Sequence, residues 1–316
     1  MFMRLALVGL GFMGGVHRKA LAALSQIELA AVVSRQGDRR EASVKHYTEL
    51  EDALADPEID AVDLCLPTDM HESAAIASLR SGKHVLVEKP MALTVASCHR
   101  MIAEAERWRR ILMVAHVLRF FPAYMALQHA VDHRDLGDIR FATFRRRCRQ
   151  PGWSDWITDK TRSGGGAFDL LIHDIDMSLR LFGPPSAISA TGYEDVPAGV
   201  DTISARLFYD GFVVEISGGW MFSGAFPFAM EFTVLGDRGV LEFNSESRPL
   251  MRYGRGEVVP VESVDGYAAE IAYFAECCRS GEQPSRCTPA SSAESIRLAL
   301  AMFDARSKNG ERISWK

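Results

Sequence analysis

Leu5-Ala6-Leu7-Val8-Gly9-Leu10-Gly11-Phe12-Met13-Gly14 decides how the first part of this chain folds. Four apolar residues stop at a glycine, which reads as a buried parallel strand. Gly9-x-Gly11-x-x-Gly14 then opens a helical segment to about Leu24. A glycine triplet alone is a weak signal. A strand before it and a helix after it supply the context in which it binds a dinucleotide. Gly9 permits the tight turn, Gly11 lets the backbone approach a pyrophosphate, and Gly14 lets the helix pack on the strand. The helix start offers free N–H groups and a partial positive charge to phosphate. Phe12 and Met13 sit in the same turn and join the glycines as expected cofactor contacts.

The second strand, Leu29–Val33, ends in Ser34-Arg35. A cofactor lacking a 2′-phosphate usually meets an acidic residue here. Serine does not repel that phosphate and a guanidinium can bind it bidentately, so NADP is favoured over NAD. Arg39 and Arg40 are near enough in sequence to help. If Arg35 only stacks on adenine, either cofactor is served. A third strand, Ala61–Leu66, leads into Pro67-Thr68-Asp69-Met70-His71. Ligands of open α/β sheets sit outside the carboxyl ends of the strands, so Leu66, Pro67, Thr68 and His71 are expected at the cofactor. His71 could equally serve helix packing. The strand His84–Val87 ends in Glu88-Lys89-Pro90. A lysine at this edge points toward the glycine turn, and Pro90 restricts its backbone. Glu88 and Lys89 are therefore candidate cofactor contacts. The helix Val95–Trp108 and the strand Ile111–Ala115 complete the alternation, which ends near Phe120.

Beyond that point the pattern changes. A helix reaches about His133, and the strand Ile139–Arg149 alternates apolar residues with Arg145, Arg146, Arg147 and Arg149, which reads as a solvated face. Trp153 and Trp156 lie in a loop, where they suit either a sugar ring or core packing. Gly164-Gly165-Gly166-Ala-Phe-Asp169-Leu-Leu-Ile-His173-Asp174-Ile-Asp176 enters a helix. Asp169 and His173 are four apart and share one face. A carboxylate beside an imidazole can fix its tautomer and raise its basicity. The three glycines are expected to let the backbone pass close beside cofactor and substrate. Strand-like runs follow at Ala187–Tyr193, Thr202–Tyr209, Phe212–Gly218, Met230–Leu235 and Val240–Phe243, with a hairpin signal at Asp210-Gly211. They imply a mostly antiparallel sheet, followed by helices over Tyr267–Arg279 and Ala290–Lys308.

Bulk properties narrow the class. A chain of 316 residues favours two domains, and 47% hydrophobic with 24% charged residues is ordinary for a globular protein. A net charge of -5 gives no reason to expect nucleic acid. Six cysteines without a Cys-x-x-Cys pair read as free thiols in a reducing cytoplasm. The start, Met-Phe-Met-Arg, runs straight into a strand, so no cleavable leader is expected. No run of about 18 apolar residues suggests a membrane span. Helical spacing splays His173, Asp174 and Asp176, and no metal is expected.

The order and spacing of Gly9-x-Gly11-x-x-Gly14, Glu88-Lys89-Pro90 and Asp169-Leu-Leu-Ile-His173-Asp-Ile-Asp176 resemble the glucose–fructose oxidoreductase / inositol dehydrogenase family (Gfo/Idh/MocA) over essentially the whole chain. Arg119-Phe120 and the Ser163-Gly-Gly-Gly lead also fit. The resemblance implies an α/β protein with a Rossmann domain over 1–120. It also implies a C-terminal α+β domain over 121–316, whose open, mostly antiparallel sheet binds substrate and builds dimers or tetramers. It implies an NAD(P)-dependent oxidoreductase of a sugar or cyclic polyol, with Lys89, Asp169 and His173 as catalytic group and a cis Lys89–Pro90 bond. His116, Arg119, Trp153, Trp156 and Asp176 are further expected substrate contacts beside Lys89, Asp169 and His173. Ser34-Arg35 departs from the acidic NAD signal, and His116 and Leu118 replace an aromatic residue and a second arginine. Relatives that cleave glycosides with tightly held NAD, or that only sense a dinucleotide, are the alternatives; the sensors would be expected to lack the lysine and histidine present here.

Overall fold

The protein's structure, a computed structural model, describes residues 2–35, 44–222, 224–246, 248–254 and 257–315. In chain order come β1 (Met3–Val8), α1 (Phe12–Leu21), β2 (Ile27–Val33), β3 (Lys45–Tyr47), α2 (Leu50–Ala55), β4 (Ala61–Leu64), α3 (His71–Arg80), β5 (His84–Glu88), α4 (Val95–Trp108) and β6 (Leu112–Ala115). Then follow α5 (Pro122–Asp132), β7 (Ile139–Cys148), α6 (Lys160–Ser163), α7 (Gly166–Phe182), β8 (Ala187–Asp195), β9 (Val200–Phe208), β10 (Val213–Met221), β11 (Ala229–Gly236), β12 (Gly239–Asn244), β13 (Arg248–Tyr253), β14 (Glu257–Val258), α8 (Gly266–Ser280), α9 (Pro289–Ser307) and β15 (Ile313–Ser314).

Two compact units result: residues 1–120 with 264–296, and residues 121–263 with 297–316. The first break falls where the strand–helix alternation stops. Residues 264–296, expected in the second domain, belong to the first. The reason is packing: Ile271, Phe274 and Ala275 of α8 join the core built by Leu5, Val32, Ala61, Leu86 and Met113 of the strands.

The sheet of the first unit is parallel throughout, in the order β3-β2-β1-β4-β5-β6. Apart from β3, its strands are largely buried on both faces, which is why they read as mainly apolar runs. The order reverses between β1 and β4, so the loops after these two strands flank the switch point where nucleotides bind in such sheets.

The second unit holds a nine-stranded sheet, β14-β13-β12-β11-β7-β10-β9-β8-β15. Only β7 and β10 pair in parallel; the other neighbours are antiparallel. Gly211, with φ +81°, turns the β9–β10 hairpin. Along β9 and β11 buried residues alternate with more exposed ones, the signature of a sheet covered on one face. The helix α7 packs against β7, β9 and β10. Among the described residues no helix is long and apolar enough to cross a membrane.

Candidate active site

The turn after β1 shows three glycines in different roles. Gly9 has φ +93°, and an added Cβ would lie 2.4 Å from the Cys65 carbonyl oxygen. A Cβ on Gly14 would lie 2.0 Å from the Gly9 carbonyl oxygen. Over Gly11, by contrast, no atom comes within 4 Å of that position. Two glycines therefore let the turn close onto β4 and α1, and the middle one leaves the backbone face open. No side chain caps the start of α1 and no acid stands in its first turn. An open backbone beside an uncapped helix start fits the pyrophosphate of a dinucleotide. Phe12 is 59% exposed at this edge, and Met13 is half-buried.

At the end of β2, Ser34 is half-buried, its N–H donating to the Tyr47 carbonyl at 2.9 Å, and Arg35 is exposed. Arg39 and Arg40 lie outside the described residues. Leu66 and Pro67 are half-buried after β4, while Thr68 is buried. His71 departs from the expected cofactor contact. It is fully buried, with Nδ1 2.9 Å from the Pro90 carbonyl and Nε2 2.9 Å from the Leu66 carbonyl. Burial lowers its pKa against the pull of the two carbonyls, and the ring sits between two loops rather than facing a ligand.

Glu88 is also turned inward. One carboxylate oxygen lies 3.0 Å from His17 Nε2, and the other accepts the Lys89 backbone N–H at 2.8 Å. Burial would raise its pKa, but the His17 hydrogen bond and charge outweigh that and lower it. It holds the corner that presents Lys89 instead of touching a cofactor. Lys89 itself is half-buried, and the Lys89–Pro90 bond is cis. His116 at the end of β6 is 1% exposed. Arg119, expected at the substrate, is 5% exposed and donates to the Arg286 carbonyl at 2.7 Å and to Ser291 Oγ at 3.0 Å. It ties the end of the parallel sheet to the stretch between α8 and α9.

In the second unit, α7 is buried nearly all round, yet Asp169, Leu170 and His173 form a half-exposed patch on it. The three preceding glycines have a different purpose from the one expected. A Cβ on Gly164 would meet the Phe168 ring at 2.5 Å, one on Gly165 the Asp201 carboxylate at 2.7 Å, and one on Gly166 the Trp220 indole at 2.1 Å. The protein's own side chains occupy the space. Asp201, fully buried, accepts the Ala167 N–H at 3.1 Å and is paired with Arg306 at 2.8 Å, so it caps α7 from a neighbouring strand.

The basic strand is not uniformly solvated. Arg146 is 3% exposed and grips Asp174 bidentately at 2.7 and 3.0 Å, with the Tyr124 hydroxyl 3.3 Å away. Asp174 thereby anchors one side of α7 to β7 while His173 stays on the half-exposed side. Arg145 is exposed and pairs with Glu231; Arg147 lies 3.9 Å from Glu246. Asp176, expected at the substrate, is 1% exposed. Trp153 is 47% exposed and stands edge-on to the half-buried Trp156, centroids 6.2 Å apart. Neither belongs to the core.

Sequence reasoning missed His17, Asp63, Asp201 and Arg146. Asp63 carried a signal, a carboxylate inside the otherwise apolar Ala-Val-Asp-Leu of β4. The others become visible only through partners 22 to 105 residues away.

The model of an oxidoreductase family with an NAD-binding Rossmann fold matches residues 3–116, and a GFO/IDH/MocA C-terminal domain model matches 124–242. Myo-inositol 2-dehydrogenase of Thermotoga maritima is 32% identical over 57% of this chain, a match that takes in 55% of that protein's length. Trans-1,2-dihydrobenzene-1,2-diol dehydrogenase of Mus musculus is 29% identical over 98% of both chains. The solved aldose-aldose oxidoreductase of Caulobacter crescentus shares the fold, with a TM-score of 0.87 at 22% identity over 100% of each chain. Matched across the glycine turn, the Glu88-Lys89-Pro90 corner and α7, the chain belongs to the Gfo/Idh/MocA oxidoreductase family.

Proposed function

We propose that this protein is an NAD(P)-dependent dehydrogenase that acts on a ring hydroxyl of a sugar or cyclic polyol. The observation that carries the reading is the half-exposed Asp169–His173 patch on an otherwise buried helix, in a chain whose other unit has a dinucleotide turn left open over Gly11. When bound, a nicotinamide dinucleotide supplies the hydride acceptor. Gly9, Gly11, Phe12, Met13 and Gly14 hold its pyrophosphate, with Leu66, Pro67 and Thr68 beside it. Exposed Arg35 next to Ser34 supports NADP over NAD, because neither residue is acidic and a guanidinium can pair with a 2′-phosphate.

In this proposal His173 takes the hydroxyl proton, and Lys89 donates to the substrate oxygen as charge develops on it. Asp169 orients one of these two groups. Trp153 presents an exposed indole to a sugar ring. Thr143, Glu215, Ser217, Glu231 and Thr233 are half-buried along the sheet of the second unit. That half-covered row supports a homodimer or homotetramer built through the sheet. The six cysteines are all free, which supports a reducing, cytoplasmic setting.

The test follows reduced-nicotinamide absorbance with purified protein across inositols, aldoses and their keto forms, with NAD and NADP in parallel. Polyol-dependent absorbance change supports the reading. Activity with NAD alone overturns the reading of Arg35. No change with any polyol, together with cleavage of a glycoside, overturns the dehydrogenase assignment.

A further inference from the structure

Asp63, His17 and Glu88 form a buried chain of hydrogen bonds within the first unit. His17 stands on α1, three residues after Gly14, and is fully buried. Its Nδ1 is 2.8 Å from Asp63 Oδ2 and its Nε2 is 3.0 Å from Glu88 Oε1. An ionised carboxylate only accepts, so both ring nitrogens donate and the ring is an imidazolium. The second Glu88 oxygen accepts the Lys89 backbone N–H. One continuous chain thus runs from β4, through the helix of the glycine turn, to the lysine corner.

The surroundings keep that chain intact. Cys65 donates its thiol toward Asp63 at 3.7 Å, and the Tyr267 ring lies 6.1 Å from the His17 ring. Glu270 interacts electrostatically with His17, Glu88 and Asp63, and Arg119 acts on Glu270. Glu270 is fully buried and neither of its oxygens has a hydrogen-bond partner, and burial raises its pKa well above the ordinary value. Burial thus disfavours a charge on Glu270 that would compete for the imidazolium. Burial alone would lower the His17 pKa, but the Asp63 charge leads the effects that raise it well above 6.5. Asp63, Cys65 and His17 do place candidate ligand atoms within 4.8 Å of one another. With both ring nitrogens donating to carboxylates, no lone pair remains for a cation.

We propose that His17 is a positioning residue for Lys89: its Nε2–H fixes the Glu88 carboxylate, which fixes the Lys89 backbone. The proposal rests on Lys89 being catalytic, as read above.

Two neutral substitutions separate this role from mere structural support. Glutamine places its amide nitrogen where Nε2 was and keeps the bond to Glu88. Asparagine places it where Nδ1 was and keeps only the bond to Asp63. His17→Asn is expected to lower kcat about 100-fold, the order of loss that a misplaced catalytic group brings, whereas His17→Gln stays within about tenfold of wild type. Cofactor Kd, read by quenching of protein fluorescence, is expected to change less than about threefold in both. Equal losses in the two variants, or a loss in neither, overturn the proposal. Lys89→Met is measured alongside. If it keeps wild-type turnover, the catalytic reading of Lys89 falls and takes the positioning role with it. If it loses turnover while the His17 pair fails the pattern, only the positioning role falls. Nitrogen NMR of labelled histidines in the wild type needs no variant to fold. Both His17 nitrogens are expected to stay protonated at about pH 8. A neutral ring, or a metal-bound nitrogen with stoichiometric zinc, overturns the proposal.

Discussion

Gly9–Gly14 leads into α1 in the first unit, and Gly164–Gly166 leads into α7 in the second. Each lead contains glycines that leave no room for a side chain, and each has a glycine with positive φ. They differ in what fills the space. Around the second lead Phe168, Asp201 and Trp220 crowd every added Cβ, whereas nothing comes within 4 Å over Gly11. A glycine-rich lead is therefore either a cradle left open for a ligand or a seat for the protein's own side chains. Composition does not tell the two apart; the neighbours do. The second lead sets α7 against Trp220 and Asp201, and this rigid seat is what carries His173.

The largest expected effect tests whether the second lead serves chemistry and not cofactor binding. His173→Ala should lower turnover by about 100- to 10,000-fold, the usual worth of a general acid–base group. Cofactor Kd should barely move. Near-normal turnover would remove His173 from the catalytic group, and a large loss of cofactor affinity would blur the distinction between the leads.

Gly166→Ala comes next. Its Cβ would enter the Trp220 ring at 2.1 Å, an overpacking that costs about 1–3 kcal/mol. Denaturant unfolding should show that loss with an unchanged cofactor Kd. Wild-type stability would mean that the second lead is looser than its contacts indicate.

Gly11→Ala should do the reverse. The position has φ -71° and open space, so alanine fits the fold. Stability should stay within about 0.5 kcal/mol, while dinucleotide affinity drops about tenfold, or about 1.4 kcal/mol. Affinity equal to wild type, measured by calorimetry, would deny that Gly11 faces the ligand.

The smallest effect concerns pH. His17 and Glu270 both have raised pKa values in the folded chain. Such groups contribute fully below their ordinary values, 6.5 and 4.5, and lose that contribution as pH rises through the folded values. In the second unit, Arg146 beside Asp174 is pushed further up and keeps its charge. From about pH 7 to pH 8 the first unit should lose protection through His17 by no more than about 1.4 kcal/mol. Hydrogen exchange should show α1 and β4 opening before α7. The opposite order would sink this account.

Much of this was readable from the chain alone. Helix α4 runs over the expected Val95–Trp108, and α8 and α9 differ from the expected helices by only a residue at each end. Their 3.6-residue periodicity is local, and so are the caps Thr94 and Asp265. Apart from β3, the parallel strands announced themselves as mainly apolar runs because both faces are largely buried. Site residues were less legible. Phe12, Arg35 and Trp153 stand exposed where a ligand could reach them. His71, Glu88 and Arg119 are turned inward to partners that no spacing rule names. A polar side chain at a strand end can face the cleft or the interior, and only the distant groups that satisfy it decide which.

The sequence by itself determined the alternation that makes the parallel sheet, the dinucleotide turn, the mostly antiparallel second sheet and the family motifs. These follow from local periodicity, from glycine conformations and from fixed spacings. Tertiary structure alone decided that residues 264–296 complete the first unit. It also decided that Gly164–Gly166 seat α7 on Trp220 and Asp201, and that His17 bridges Asp63 and Glu88. Each of these depends on burying apolar surface or pairing buried charge across long separations in the chain. Such partners are chosen by the packed interior, where an unpaired charge is costly, and not by neighbours in sequence.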